Sequence, residues 1–149
     1  MGKIIIYADG ACSGNQFEEN VGGWGAVLQY NGKQKEIYGG TKMTTNNKME
    51  LTAAIKALEE LKVYDIPIEV YLDSAYVISG ITVWIYGWIK KGWVTSKKKP
   101  VENRELWERL YNLKRRFDSI EFIKVKGHSG NEGNDRADEL ANKGMNQYK

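Results

Sequence analysis

Four acidic side chains stand where a purely structural role is hardest to give them. Asp9 follows "KIIIYA", an isoleucine-rich run that builds a buried strand, and it arrives just before the chain turns at Gly10. Asp73 repeats the arrangement at the end of "IEVYLD": an apolar strand, an aspartate at its carboxyl end, then a small residue. Glu50 lies early in a helix whose apolar stripe is Ala54, Leu58 and Leu61, and at about 100° per residue it falls inside that stripe's arc. Asp138 sits at the edge of the inner face that Ala137, Leu140, Ala141 and Met145 mark on the last helix, whereas Asp135 and Glu139 project outward. Singly, each acid has a structural explanation. Asn47 and Glu50 fit a capping box, Asp73 fits the N-cap of a helix starting at Ser74, and an acid near the start of the last helix suits the macrodipole. Together, four carboxylates at one sheet end would repel, and burying an uncompensated carboxylate is costly. No lysine or arginine is positioned to offset them. Hard divalent cations would supply the opposite charge. An all-oxygen donor set suits Mg2+ or Mn2+, and a pair of such ions is a recurrent device for in-line displacement at phosphorus.

The elements that must position these acids can be read from periodicity and turn signals. Lys3 to Cys12, Gly22 to Tyr30 and Lys33 to Gly40 read as strands, the last two joined by the two-residue hairpin signal Asn31–Gly32. Met49 to Lys62 reads as a helix with Leu51, Ala54, Ile55, Ala57, Leu58 and Leu61 on one stripe. Ile68 to Asp73 alternates as a strand. Short helices are expected over Ser74 to Gly80 and Thr82 to Lys91, the second with Ile81, Trp84, Ile85 and Trp88 on one face. Glu102 to Phe117 reads as an amphipathic helix built on Leu106, Leu110 and Leu113, followed by a strand over Ile120 to Val125 and a helix over Asn134 to Gly144. Three antiparallel strands followed by strand–helix units predict an α/β fold, a mixed sheet with helices on both faces.

Composition narrows the class. A chain of 149 residues with 42% hydrophobic content is expected to form a single domain over 1–149. No apolar run approaches a membrane span, so no membrane partner is expected. Cys12 and His128 are each the only residue of their type, which rules out an intrachain disulfide and argues against a Cys/His zinc site. A cytoplasmic, monomeric protein is expected. The net charge is only +3, but its distribution is uneven. Lys90, Lys91, Lys97, Lys98 and Lys99 cluster within a stretch, Ser74 to Val101, that lacks Asp and Glu altogether. That is the footprint expected of a phosphate-backbone contact, although a solvated lysine-rich loop fits the lysines taken alone.

The segments "YADGACSGN" with "GGWGAVL", "TTNNKMELTAAIKALE", "VYLDSAYVISGIT", "WIYGWIKKGWVTSKKKPVENRELWERL" and "VKGHSGNEGNDRADELAN", in that order, resemble type 1 ribonuclease H of the bacterial form, from about Lys3 to Gly144. The resemblance implies the ribonuclease H-like fold, a five-stranded mixed sheet with three antiparallel and then two parallel strands. It implies endonucleolytic hydrolysis of the RNA strand of an RNA–DNA hybrid, leaving 5′-phosphate and 3′-hydroxyl ends, with two Mg2+ ions bound alongside substrate and Mn2+ as a substitute. The family's metal-binding carboxylates fall on Asp9, Glu50, Asp73 and Asp138, and its loop histidine, which assists proton transfer or product departure, on His128. By resemblance the RNA strand lies along Cys12, Gly14, Asn15 and Glu50. Asn46 and Asn47 reach minor-groove edges, and Thr45 touches a DNA phosphate. A basic protrusion at about 81–101, with Trp84, Lys90, Lys91 and Trp93, grips the DNA strand.

This chain departs from the family pattern at several places. "QFEENV" over Gln16 to Val21 replaces the familiar Pro/Gly turn and is longer by about three residues. Met43 and Val83 stand where some relatives carry an arginine and a polar residue, and Ala75 where a base-contacting glutamine is common. A DNA-cutting nuclease of the same superfamily and a non-catalytic nucleic-acid binding module are the competing readings.

Overall fold

The computed structural model describes residues 2–14, 20–126 and 130–149. Strands β1 (Ile4–Ser13), β2 (Val21–Tyr30) and β3 (Lys33–Lys42) form an antiparallel meander. Asn31 and Gly32, which join β2 to β3, have φ of 50° and 76°, the left-handed pair that lets a two-residue turn follow the sheet's own twist. Strands β4 (Ile68–Leu72) and β5 (Ile120–Lys124) add in parallel on the far side of β1, giving the order β3-β2-β1-β4-β5. This is the mixed sheet that the sequence predicts.

Helix α1 (Asn46–Glu59) lies on one face of the sheet. Ile4, Ile6 and Ala8 of β1 pack there with Leu51, Ile55 and Leu58, all buried. Its buried surface is wider than the expected stripe, taking in Ala53 as well, because α4 (Arg104–Lys114) covers it from outside. α1 starts earlier than Met49 because Thr45 caps it, its hydroxyl accepting the Lys48 N–H at 3.1 Å. In α4 the largest fully buried side chain is Trp107, which the leucine pattern passes over, while Leu106 is half-buried. The Trp107 indole N–H and the Asn103 amide both donate to the Tyr76 hydroxyl, at 3.3 and 3.0 Å. Those bonds tie α4 to α2 (Ala75–Ser79).

The two short helices expected between Ser74 and Lys91 run together. A π-helical turn (Gly80–Trp84) joins α2 to α3 (Ile85–Lys90), at the point where Gly80, having no Cβ, accepts the Trp107 ring. Helix α5 (Glu132–Asn146) covers the opposite face of the meander, contacting β1, β2 and β3. It approaches closely because Gly23, Gly25 and Gly40 present no side chains to it.

Candidate active site

β1 and β4 pair in parallel only as far as Ala8 and Leu72. Asp9 and Asp73 are the next residues on each strand. Asp9, midway along β1, and Asp73, just past the end of β4, therefore stand where the two strands part, at the carboxyl end of β4, the general location of ligand sites in open α/β sheets. Glu50 comes to the same place from α1. A Cβ built on Gly10 would lie 2.5 Å from the Glu50 backbone nitrogen, so glycine is what allows the helix this near to β1. The Gly10 N–H donates to Glu50 Oε1 at 2.9 Å.

The structural explanations for the acids give way one by one. Thr45, not Asn47, caps α1, and Glu50 turns to β1 instead of back to the helix start. Ser74 caps α2, its hydroxyl accepting the Val77 N–H at 3.2 Å, which leaves Asp73 outside the cap. Asn131 caps α5 by accepting the Asn134 N–H at 3.0 Å, and Asp138 lies beyond the first turn, where the macrodipole acts most strongly.

One oxygen from each of Asp9, Glu50 and Asp73 lies within 4.8 Å of the others. Asp138 is not one of the three within that distance; it comes up beside Asp9 from α5, near enough to help raise that carboxyl. Asp9 and Glu50 are buried, at 4% and 5% exposure, while Asp73 and Asp138 are half-buried. Burial pushes the Asp9 carboxyl up to about 10, reinforced by the charge of Glu50, the Glu50 hydrogen bond, the charge of Asp73 and the Asp138 hydrogen bond. Burial likewise pushes Glu50 up to about 7; the charges of Asp73 and Asp138 add to this, while its hydrogen bonds to Asp9 and to the Gly10 N–H hold it down. Asp9 and Glu50 titrate as a pair, and together they hold a proton at neutral pH. Glu50 Oε2 is buried with no hydrogen-bond partner among the described residues. An all-carboxylate donor set, mutually repulsive, with one orphaned buried oxygen, fits a hard divalent cation.

Other expected residues are placed as follows. Thr45, Asn46 and Asn47 are exposed at the start of α1, one turn before Glu50. Cys12 is half-buried with its Sγ 3.9 Å from the Thr44 carbonyl, and Gly14 is exposed with φ of 90°. Asn15, His128 and most of the segment Gln16 to Val21 lie outside the described residues. In the protrusion, Trp84 is 43% exposed, while Trp88 leans on Trp107 with ring centroids 5.3 Å apart. Trp93 is buried at 9% exposure, against Trp88 and beneath the Arg104 guanidinium, so it braces the protrusion from within and does not offer its ring outward. Lys90 and Lys91 are exposed. A cleft of about 430 Å³ is lined by Trp84, Gly87, Trp88, Lys91, Val94, Thr95 and Ser96. Asn134, which the sequence reading passed over, is 2% exposed with its amide oxygen unpartnered among the described residues, one turn before Asp138. Its spacing of four from Asp138 was the available signal.

Comparison with known proteins gives consistent results. The model of the RNase H family matches residues 1–146. The chain is 52% identical over 145 residues to the ribonuclease H of Maricaulis maris, covering 97% of this chain and 95% of that one. It is 52% identical over 144 residues to the ribonuclease H of Methylobacillus flagellatus, covering 97% and 92%. Among solved structures, it resembles LC9-RNase H1, described as a type 1 RNase H with the type 2 active-site motif, with a TM-score of 0.86 and 28% identity over 100% of this chain and 75% of that one. It also resembles LC11-RNase H1, solved in complex with RNA/DNA hybrid, with a TM-score of 0.71 and 29% identity over 98% and 99%.

Proposed function

This chain belongs to the ribonuclease H family, and from that premise we propose that it hydrolyses the RNA strand of RNA–DNA hybrids, leaving 5′-phosphate and 3′-hydroxyl ends. The observation that carries the proposal is the convergence of Asp9, Glu50 and Asp73 at the parting of β1 and β4, with Asp138 beside Asp9. These residues would hold two Mg2+ ions, which when bound lower the pKa of a water and stabilise the departing oxygen. The protein's own part is to fix the carboxylates. The Gly10 N–H holds one Glu50 oxygen and leaves the other free. Burial of Asp9 and Glu50 keeps bulk water from competing for them. His128 would carry a proton near the scissile bond, as an imidazole titrating near neutrality can.

Substrate would lie across the start of α1, with the RNA strand along Cys12, Gly14 and Asn15 and with Asn46 and Asn47 at the minor groove, where the 2′-hydroxyls that mark RNA are displayed. Thr45 would touch a DNA phosphate, and the Trp84 cleft with Lys90 and Lys91 would take the DNA strand further along. A hybrid in complex with LC11-RNase H1 supports this choice of partner. The chain would act as a monomer of one domain in the cytoplasm; one core cluster runs from Ile4 to Phe117, and no helix among the described residues is long and apolar enough to cross a membrane.

Incubation of the protein with hybrid, duplex RNA and duplex DNA, each with and without Mg2+, tests the proposal. Cleavage confined to the RNA of the hybrid and dependent on added Mg2+ is the expected result. Preferential cutting of duplex DNA would overturn the substrate assignment, and undiminished cutting in a chelator would overturn the metal role.

A further inference from the structure

Tyr7 and Tyr71 are register partners on β1 and β4, and their rings stack with centroids 5.1 Å apart and planes at 22°. Each stands two residues before a carboxylate, Asp9 or Asp73, and so on the same sheet face as that carboxylate. The outer end of Tyr71 is fixed. Its hydroxyl donates to Glu69 Oε1 at 2.8 Å, and Lys3 holds Glu69 Oε2 at 2.7 Å. The Tyr7 ring is also the seat of α5. Gly133, in the first turn of that helix, lies so close that a Cβ there would enter the space of the Tyr7 ring. Further along, Gly25 admits Leu140 and Ala141 equally closely. Asp138 therefore lies between two close-packed supports, the first of them resting on a side-chain ring.

We propose that Tyr7, Tyr71 and Gly133 are positioning residues: the stacked tyrosines set the height at which the first turn of α5 rests on the sheet, and so the reach of Asp138 to Asp9. This rests on the metal-binding reading of the carboxylates. Tyr7 cannot yield freely to a new side chain at Gly133, because its ring is stacked on Tyr71. A methyl group at 133 must lift the helix end instead, drawing Asp138 away from the cluster.

The test uses Mn2+ alone, titrated into the intact protein and followed by electron paramagnetic resonance, with the rise of Tm on adding Mn2+ as a second readout. Gly133→Ala should weaken Mn2+ binding by about tenfold, the usual scale for disturbing the support of a metal ligand. Tyr7→Leu should weaken it by several-fold, and Tyr7→Phe, which keeps the ring, should leave it unchanged. The double variant Gly133→Ala/Tyr7→Leu should bind no worse than Tyr7→Leu, since removing the ring makes room for the methyl group; this non-additivity is the signature of direct coupling. Should Gly133→Ala not fold, the Tyr7→Leu and Tyr7→Phe pair decides alone. Wild-type affinity in Gly133→Ala or Tyr7→Leu, or additive losses in the double variant, would overturn the inference while leaving the metal site standing. Failure of the wild-type protein to bind Mn2+ would overturn both.

Discussion

Replacing Asp9 by asparagine should abolish cleavage and, in the absence of metal, make the protein more stable above pH 5. In the folded chain the Asp9 carboxyl is raised to about 10 from an ordinary 3.8. The unfolded chain releases that proton as the pH passes about 4, whereas the folded chain keeps it. Folding therefore takes up a proton, and stability falls as pH rises by about 1.4 kcal/mol per pH unit. From about pH 5.5 to 7.5 Asp9 alone costs about 3 kcal/mol, which in a domain of this size lowers Tm by roughly 6–12 °C. Glu50, raised to about 7 from 4.5, adds in the same direction within that window. The paired carboxylates Glu36 and Glu69 are lowered, so their contribution is lost only at more acid pH and does not obscure the slope. An asparagine amide donates to Glu50 as protonated Asp9 does, with no proton to take up. The melting profile of Asp9→Asn in a chelator should thus be flatter than that of the wild type, the two curves separating as pH rises. Thermal melts followed by circular dichroism from pH 5 to 8 measure this directly. Parallel profiles would refute the argument, because they would mean that Asp9 is ionised in the bare protein.

Adding Mg2+ should raise the wild-type Tm more at pH 8 than at pH 6, since the ion and the proton compete for the same carboxylates; an equal rise at both would place the ion elsewhere. Gly10→Ala should push α1 from β1 and weaken Mg2+ binding by about tenfold, read by calorimetry. Trp107→Ala should destabilise the fold by about 3–5 kcal/mol in denaturant titrations, the range for deleting a fully buried large aromatic. Trp84→Ala should weaken hybrid binding several-fold with little change in Tm, because its ring is exposed; an unchanged KM would remove the cleft from the substrate path.

The candidate site was legible because its acids violate the patterns around them. Asp9 interrupts an apolar strand, Asp73 follows one, and Glu50 and Asp138 fall in or beside helical stripes that ought to be apolar. The convergence itself was not legible, since it depends on β1 and β4 being parallel neighbours, a pairing between residues more than sixty positions apart. Periodicity found the elements but passed over Trp107, because an aromatic residue at one position can outweigh a leucine stripe beside it. The family resemblance placed Trp93 in the DNA-gripping protrusion, but a resemblance of sequence cannot tell which indole of a tryptophan-rich segment turns inward, and Trp93 does. Gly10 read as a turn residue and Gly25 as an ordinary strand residue; only the packing shows that these glycines, and Gly133, each make room for a neighbouring element or ring.

The placement of Asp138 on the last helix has a consequence for the protein's own synthesis. The strand meander and α1 are complete when less than half of the chain has been made, yet Asp138 comes 129 positions after Asp9, the difference of the two numbers. At roughly 5–20 residues per second, a ribosome needs about 6–26 seconds to travel that distance. Throughout that interval the growing polypeptide lacks one carboxylate of the proposed set, so with that set a nuclease made on an RNA template would stay unarmed until translation of its final helix.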